Sequence, residues 1–158
     1  MAGGVEIERK FMVGEPPDDL DRCEASDIRQ GYLSVGEDRT EVRLRERDSE
    51  ATLTVKQGRG RTRAEEEIEL DADAFRRLWR LTEGCRIEKT RHLVPAGAGL
   101  TIELDVYAGQ LEGLMLAEVE FPSESAADDF EPPPWLGLEL TDDPRYSSQR
   151  LAVEGKPD

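Results

Sequence analysis

The first thing legible in the chain is an alternation. Between residues 5 and 13 apolar side chains fall on Val5, Ile7 and Phe11 and charged ones on Glu6, Glu8 and Lys10, with Arg9 the exception on the apolar side. A period of two predicts a strand with one apolar and one charged face. Short runs of the same kind follow at 28–33, 40–47, 51–57, 61–70, 86–94, 101–107 and 115–121. Turn signals separate them: Gly36 to Asp38, Asp48 to Glu50, Gly58 with Gly60, and later Pro95, Gly97, Gly99, Gly109 and Gly113. Residues 14–26, rich in Pro and Asp, read as a loop with a helical turn near Leu20.

The period changes at 71–84. Asp71 can cap a helix, Phe75, Leu78, Trp79 and Leu81 share a stripe at helical spacing, and Gly84 stands where a C-terminal stop belongs. The stripe is read as core packing. Beyond Pro122 the chain is acidic and loop-like, and a second helix is predicted from Pro144 to Val153. Eight strands and two helices give a mainly β domain of the α+β class, antiparallel, with accessory helices. With no repeat or linker in view, residues 1–158 are expected to form one domain.

Composition sharpens the picture. Lys and Arg number 21 against 36 Asp and Glu, a net charge of −15, which disfavours a protein that grips nucleic acid by its phosphates. An acidic field favours divalent cations, and a polyanionic ligand would need a local basic cluster. Cys23 and Cys85 lie far apart with no CxxC spacing, so reduced thiols are expected, with neither zinc nor a redox pair. Charges arrive at Glu6, before any secretory apolar region, and no apolar run approaches membrane-spanning length, so a cytoplasmic protein without a membrane partner is expected.

On the charged faces the residues are sorted by sign. Glu6 and Glu8 are acidic, Arg43 and Arg45 basic, Lys56 basic, Glu65, Glu67 and Glu69 acidic, Lys89 and Arg91 basic, Glu103 and Asp105 acidic, Glu118 and Glu120 acidic. Exceptions are Ile87, on the face of Lys89 and Arg91, and Glu46 and Glu66, on apolar faces. Like charges two residues apart on a strand repel unless an opposite charge lies between them. Arg43, Arg45, Lys56, Lys89 and Arg91 suit a ligand carrying several phosphates. Glu6, Glu8, Asp105, Glu118 and Glu120 suit hard cations, Mg2+ or Mn2+. Closed with these faces inward, the sheet becomes a barrel with a charged interior. A salt-bridged scaffold remains the alternative.

The motifs in combination resemble the CYTH superfamily, the triphosphate tunnel metalloenzymes. ExExK at Glu6, Glu8 and Lys10 is followed in order by QGYL (30–33), VRLR (42–45), LTVK (53–56), EEEIEL (65–70), KTRH (89–92), IELDVY (102–107) and AEVEF (117–121), and by WLGLELTDDPRYSSQRLA (135–152). The resemblance implies a closed eight-stranded antiparallel tunnel. It assigns Glu6, Glu8, Glu118 and Glu120 to the metal site, with Asp105 beside them, and Arg43, Arg45, Lys56, Lys89, Arg91 and Arg145 to the phosphates. Lys10, Glu65 and Glu67 line the tunnel and join Glu6, Glu8 and Asp105 as catalytic residues. Tyr32 is read as a wall residue and His92 as structural. Ser148 stands where small bacterial members often carry Asn.

The activity implied is metal-dependent hydrolysis of a triphosphate, inorganic tripolyphosphate first, with no nucleophilic side chain. Thiamine triphosphate hydrolysis and ATP cyclisation are alternatives. The cyclase branch carries a His-Phe pair before ExExK, which this chain lacks. A non-catalytic polyphosphate or nucleotide sensor is the rival of another class. The expected partners are the triphosphate and, as one option, a second copy of the chain.

Overall fold

A computed structural model describes residues 4–34, 40–58 and 61–158, so the turns read at Gly36 to Asp38 and at Gly60 lie outside the described residues. The strands are β1 (Gly4–Val13), β2 (Glu24–Tyr32), β3 (Thr40–Arg47), β4 (Glu50–Gln57), β5 (Thr62–Leu70), β6 (Arg86–Pro95), β7 (Thr101–Ala108), β8 (Met115–Glu120) and β9 (Leu136–Glu139). The helices are α1 (Ala72–Trp79), α2 (Glu124–Asp129) and α3 (Ser148–Glu154). Eight strands run β5-β4-β3-β2-β6-β7-β8-β1, each antiparallel to its neighbour, and β1 returns onto β5 from Gly4↔Glu65 to Ile7↔Thr62. The sheet is therefore a closed barrel, as expected. Past that seam β1 pairs instead with β9, through Phe11↔Glu139 and Val13↔Leu136. β9 is thus an extra strand on the barrel.

Apolar packing lies in two places. Phe11, Ile102, Leu104, Ala117 and Val119 point outward from β1, β7 and β8 and are covered by Ala127 of α2 and Leu136 of β9. The second cluster uses inward positions: Tyr32, Ile87, Tyr107 and Leu116 meet Leu151 and Ala152 of α3. The lumen is therefore apolar at the end where β1 finishes, and α3 stops it. Ile87 breaks the charge pattern of its strand because it belongs to this stopper.

Arg9, the charge on an apolar face, has a structural reason. Its guanidinium grips Glu139 through Nε at 2.9 Å and Nη2 at 2.7 Å and donates through Nη1 to the Ala127 and Phe130 carbonyls. It fastens β9 and α2 to β1. Glu46 likewise holds Arg29 at 2.6 Å on the outer face, where Arg29 lies over the stacked rings of Phe75 and Trp79. Gly31 allows close packing nearby: a Cβ there would sit 2.5 Å from Oγ1 of the buried Thr82.

Three local expectations need correction. Residues 14–26 are not all loop, because after the 3-10 turn Leu20–Arg22 strand β2 begins at Glu24, paired with Leu93. The helix of 71–84, capped by Asp71 as expected, becomes 3-10 at Arg80–Thr82, which turns Leu81 out to solvent (64% exposed) and Thr82 inward. The acidic stretch after Pro122 contains α2, capped by Ser123, and β9. Both are too short to carry a period.

Candidate active site

Strand parity turns the charged faces inward. Glu6, Arg43, Lys56, Lys89, Arg91 and Asp105 are buried, which charged side chains tolerate only when paired or hydrogen-bonded. Register supplies much of the pairing, setting Lys56 opposite Glu65, Arg91 opposite Asp105 and Lys10 opposite Glu118. Lys56 Nζ reaches Glu6 at 2.9 Å. Arg91 donates Nε and Nη2 to the two oxygens of Asp105 at 2.8 and 2.9 Å, and Lys89 Nζ meets Asp105 Oδ2 at 2.8 Å. Glu103 adds a contact to Arg91 at 3.3 Å. Lys10 Nζ donates to the Tyr146 carbonyl at 2.9 Å and lies 3.9 Å from Glu118.

Two arginines are held differently. Arg45 donates Nε and Nη2 to Gln30 Oε1 at 3.1 and 2.9 Å, and Arg43 donates Nη2 to Thr54 Oγ1 at 3.4 Å. Among the described residues neither is in an ion pair, and the buried Nε of Arg43 has no hydrogen-bond partner. Burial, then the charges of Arg43 and Arg91, push Arg45 down to about 9. Arg43, near Tyr32, Glu41 and Glu65, is held up despite its burial, so Arg45 is the cation short of counter-charge and the place for an anion.

The carboxylates show the converse crowding. Burial, then the charges of Glu118 and Glu6, push Glu8 well up. Glu118 is held low because Lys10 and Arg91 outweigh its burial. Glu65, raised to about 7 by burial and by Glu6, bonds Glu6, whose charge Lys56 stabilises. Each pair sets a carboxyl pushed up by burial and its acidic neighbour beside one that nearby cations hold down. Glu120, opposite Glu8 in the β1–β8 register, lies at the exposed rim, raised by partial burial and by Glu6 and Glu103.

The raised carboxyls have a thermodynamic signature. Glu8 and Glu65 hold protons more tightly folded than unfolded, so the folded state carries more protons and stability falls as pH rises from the ordinary carboxyl value of 4.5 toward about 7. Lys89, lowered to about 7, works the other way only above that value. Metal-free protein is therefore expected to melt higher at about pH 5 than at about pH 7.5, and Mg2+ should flatten the difference by taking the protons' place. Thermal melts in EDTA and in Mg2+ check this. A midpoint that climbs with pH in EDTA would contradict it.

Most of the expected site residues thus face one lumen. Arg145 does not join them: it is exposed, bound to Asp143 at 2.7 Å and lies over the Tyr146 ring. Five lumenal groups escaped the sequence reading: Gln30, Thr54, Arg63 and Glu41, paired at 3.6 Å, and Arg47, which donates to Ser26 Oγ at 2.9 Å. Arg47 and Glu41 share the parity of Arg43 and Arg45, and Arg63 that of Glu65, so continuing each strand by twos would have found them.

No protein-family model matches the chain. It is 49% identical over 148 residues to an inorganic triphosphatase of Nitrosomonas europaea, covering 94% of this chain and 97% of that one. An inorganic triphosphatase of Acetivibrio thermocellus is 39% identical over 151 residues, with 94% and 93% covered. A crystal structure of an inorganic triphosphatase superposes with a TM-score of 0.72 at 46% identity, covering 96% of this chain and 97% of that one. With a closed charged barrel and near full-length identity to these proteins, the chain belongs to the inorganic triphosphatases of the CYTH superfamily.

Proposed function

We propose that this enzyme hydrolyses a phosphoanhydride bond of a linear triphosphate, inorganic tripolyphosphate, bound in the barrel lumen. The observation that carries the reading is the pair Arg43, buried, and Arg45, half-buried, without an ion-pair partner among the described residues, beside crowded carboxyls of which Glu8 and Glu65 are pushed up by burial and by their acidic neighbours. An anion of several charges relieves the first, and divalent cations relieve the second. The names of the two relatives favour an inorganic substrate.

Mg2+ or Mn2+ fits the residues present. Among the described residues no three His, Cys, Asp or Glu side chains are gathered closely enough to cage a cation. Mg2+ commonly takes one or two carboxylates and completes its shell with water and substrate phosphates. Glu6, Glu8 and Glu118, with Glu120 at the rim, would offer the carboxylates, one or two of them to any one ion. When bound it supplies Lewis acidity toward phosphate oxygens and toward water.

The chain's own residues do the rest. Arg43, Arg45, Lys56 and Arg91 bind phosphate oxygens and hold them as charge redistributes during transfer. Asp105, with both oxygens taken, sets the positions of Arg91 and Lys89. Lys89 is pushed down to about 7 by burial and by Arg91 and Arg45, against the pull of Asp105, so its Nζ can take up or release a proton near neutrality. Water adds to a terminal phosphorus, the bridging oxygen leaves with pyrophosphate, and phosphate is released. The apolar stopper of Leu151, Tyr107 and Leu116 excludes water from the far end. Cys23 and Cys85, both free, support a cytoplasmic setting. Phosphate release from tripolyphosphate in Mg2+ but not in EDTA tests the proposal.

A further inference from the structure

We propose that Gln30 is a positioning residue: its buried carboxamide aims the Arg45 guanidinium into the lumen while leaving that guanidinium's charge for the substrate. The inference rests on the triphosphate reading given above. Gln30 is 0% exposed and lies opposite Arg45 in the β2–β3 register. Its Nε2 donates to the Tyr32 hydroxyl at 2.7 Å, and the Tyr32 ring packs against Leu151 and Ala152 of α3. With Nε2 committed to Tyr32, the amide is fixed in one orientation and Oε1 is the atom that faces Arg45. Two donors from one guanidinium edge then converge on it, Nε at 3.1 Å and Nη2 at 2.9 Å.

The chemistry of the holder matters because Lys56, Lys89 and Arg91 are held otherwise, while Arg43 has only the neutral Thr54 hydroxyl. Lys56 is held by Glu6, and Lys89 and Arg91 by Asp105, carboxylates that cancel much of the charge they position. Gln30 offers the same directional grip without a charge. A carboxylate at position 30 would form an ion pair with Arg45 and compete with phosphate, and an apolar residue would let the guanidinium swing. The chain Tyr32–Gln30–Arg45, with Tyr32 packed on α3, also ties that helix to the anion site.

The test uses Gln30→Glu and Gln30→Met, assayed for tripolyphosphate turnover in Mg2+ alone and in an Arg45→Lys background. Gln30→Glu should raise KM about tenfold or more, with kcat changed less, and Gln30→Met should raise it by a smaller factor. Both effects should fall below about twofold once Lys replaces Arg45, because the edge that Gln30 grips is then gone. A wild-type KM in either folded variant, or an undiminished effect in the Arg45→Lys background, would overturn the inference while leaving the triphosphatase reading intact. Wild type that turns over no tripolyphosphate would instead overturn that reading, and this inference with it. If neither variant folds, the wild-type Arg45 Nε–H decides, assigned in an NMR spectrum by its loss in Arg45→Lys. Slow exchange with water supports the grip, and fast exchange refutes it.

Discussion

Replacing Asp105 by Asn is expected to lower the unfolding midpoint by about 6 to 20 °C, a loss of about 3 to 5 kcal/mol. Asp105 is 1% exposed, and three short bonds from Arg91 and Lys89 end on its two oxygens. Asn keeps the volume, so no cavity opens, but two buried cations lose their shared anion. That uncompensated charge dominates the effect. The pH dependence follows from the carboxyl itself, whose burial is outweighed by Arg91 and Lys89 so that it sits at about 2. Its folded value is depressed, so its contribution is present above the ordinary 3.8 and is lost as pH falls through about 2. Wild type and variant should therefore differ most near neutral pH and converge in strong acid. Equal midpoints at neutral pH would show that Asp105 does not hold the two cations.

Arg45→Met should do the opposite. Turnover of tripolyphosphate is expected to fall about 10²-fold or more in kcat/KM, the usual cost of removing one donor aimed at transferring charge. Metal-free stability should stay level or rise, because burial and the charges of Arg43 and Arg91 already disfavour the Arg45 cation. The half-buried guanidinium, crowded by Arg43 and Arg91, costs the empty protein stability, which anion binding restores. Adding tripolyphosphate in EDTA should accordingly raise the midpoint of wild type more than that of the variant. A variant that loses activity and stability together would point to Arg45 as a scaffold residue.

How far the sequence carries depends on what a strand encodes. A side-chain period of two is local, so the inward sets at Glu6 and Glu8, Arg43 and Arg45, Lys89 and Arg91, and Glu118 and Glu120 could be read without knowing any neighbour. Which charge meets which could not, because register across strands is a tertiary property. Asp105, grouped by sign with the metal carboxylates, lies between Arg91 and Lys89, and Lys56 finds Glu6 across 50 residues of chain. Gln30, being neutral, carries none of the charge signal that marks its inward-facing neighbours. Arg9 and Glu46 looked like faults in the apolar pattern and turned out to fasten outer elements. β9 was hidden by the prolines before it, and it is a strand only because β1 offers it an edge beyond the β5 seam.

The most direct measurement is phosphate release from tripolyphosphate, ATP and thiamine triphosphate in parallel, each in Mg2+, Mn2+ and EDTA, on wild type, Glu8→Ala and Arg45→Met. The account predicts metal-dependent turnover with tripolyphosphate preferred, lost in EDTA and in both variants. No turnover of any substrate, with tripolyphosphate still raising the wild-type unfolding midpoint, would contradict it and leave the lumen as a polyphosphate sensor.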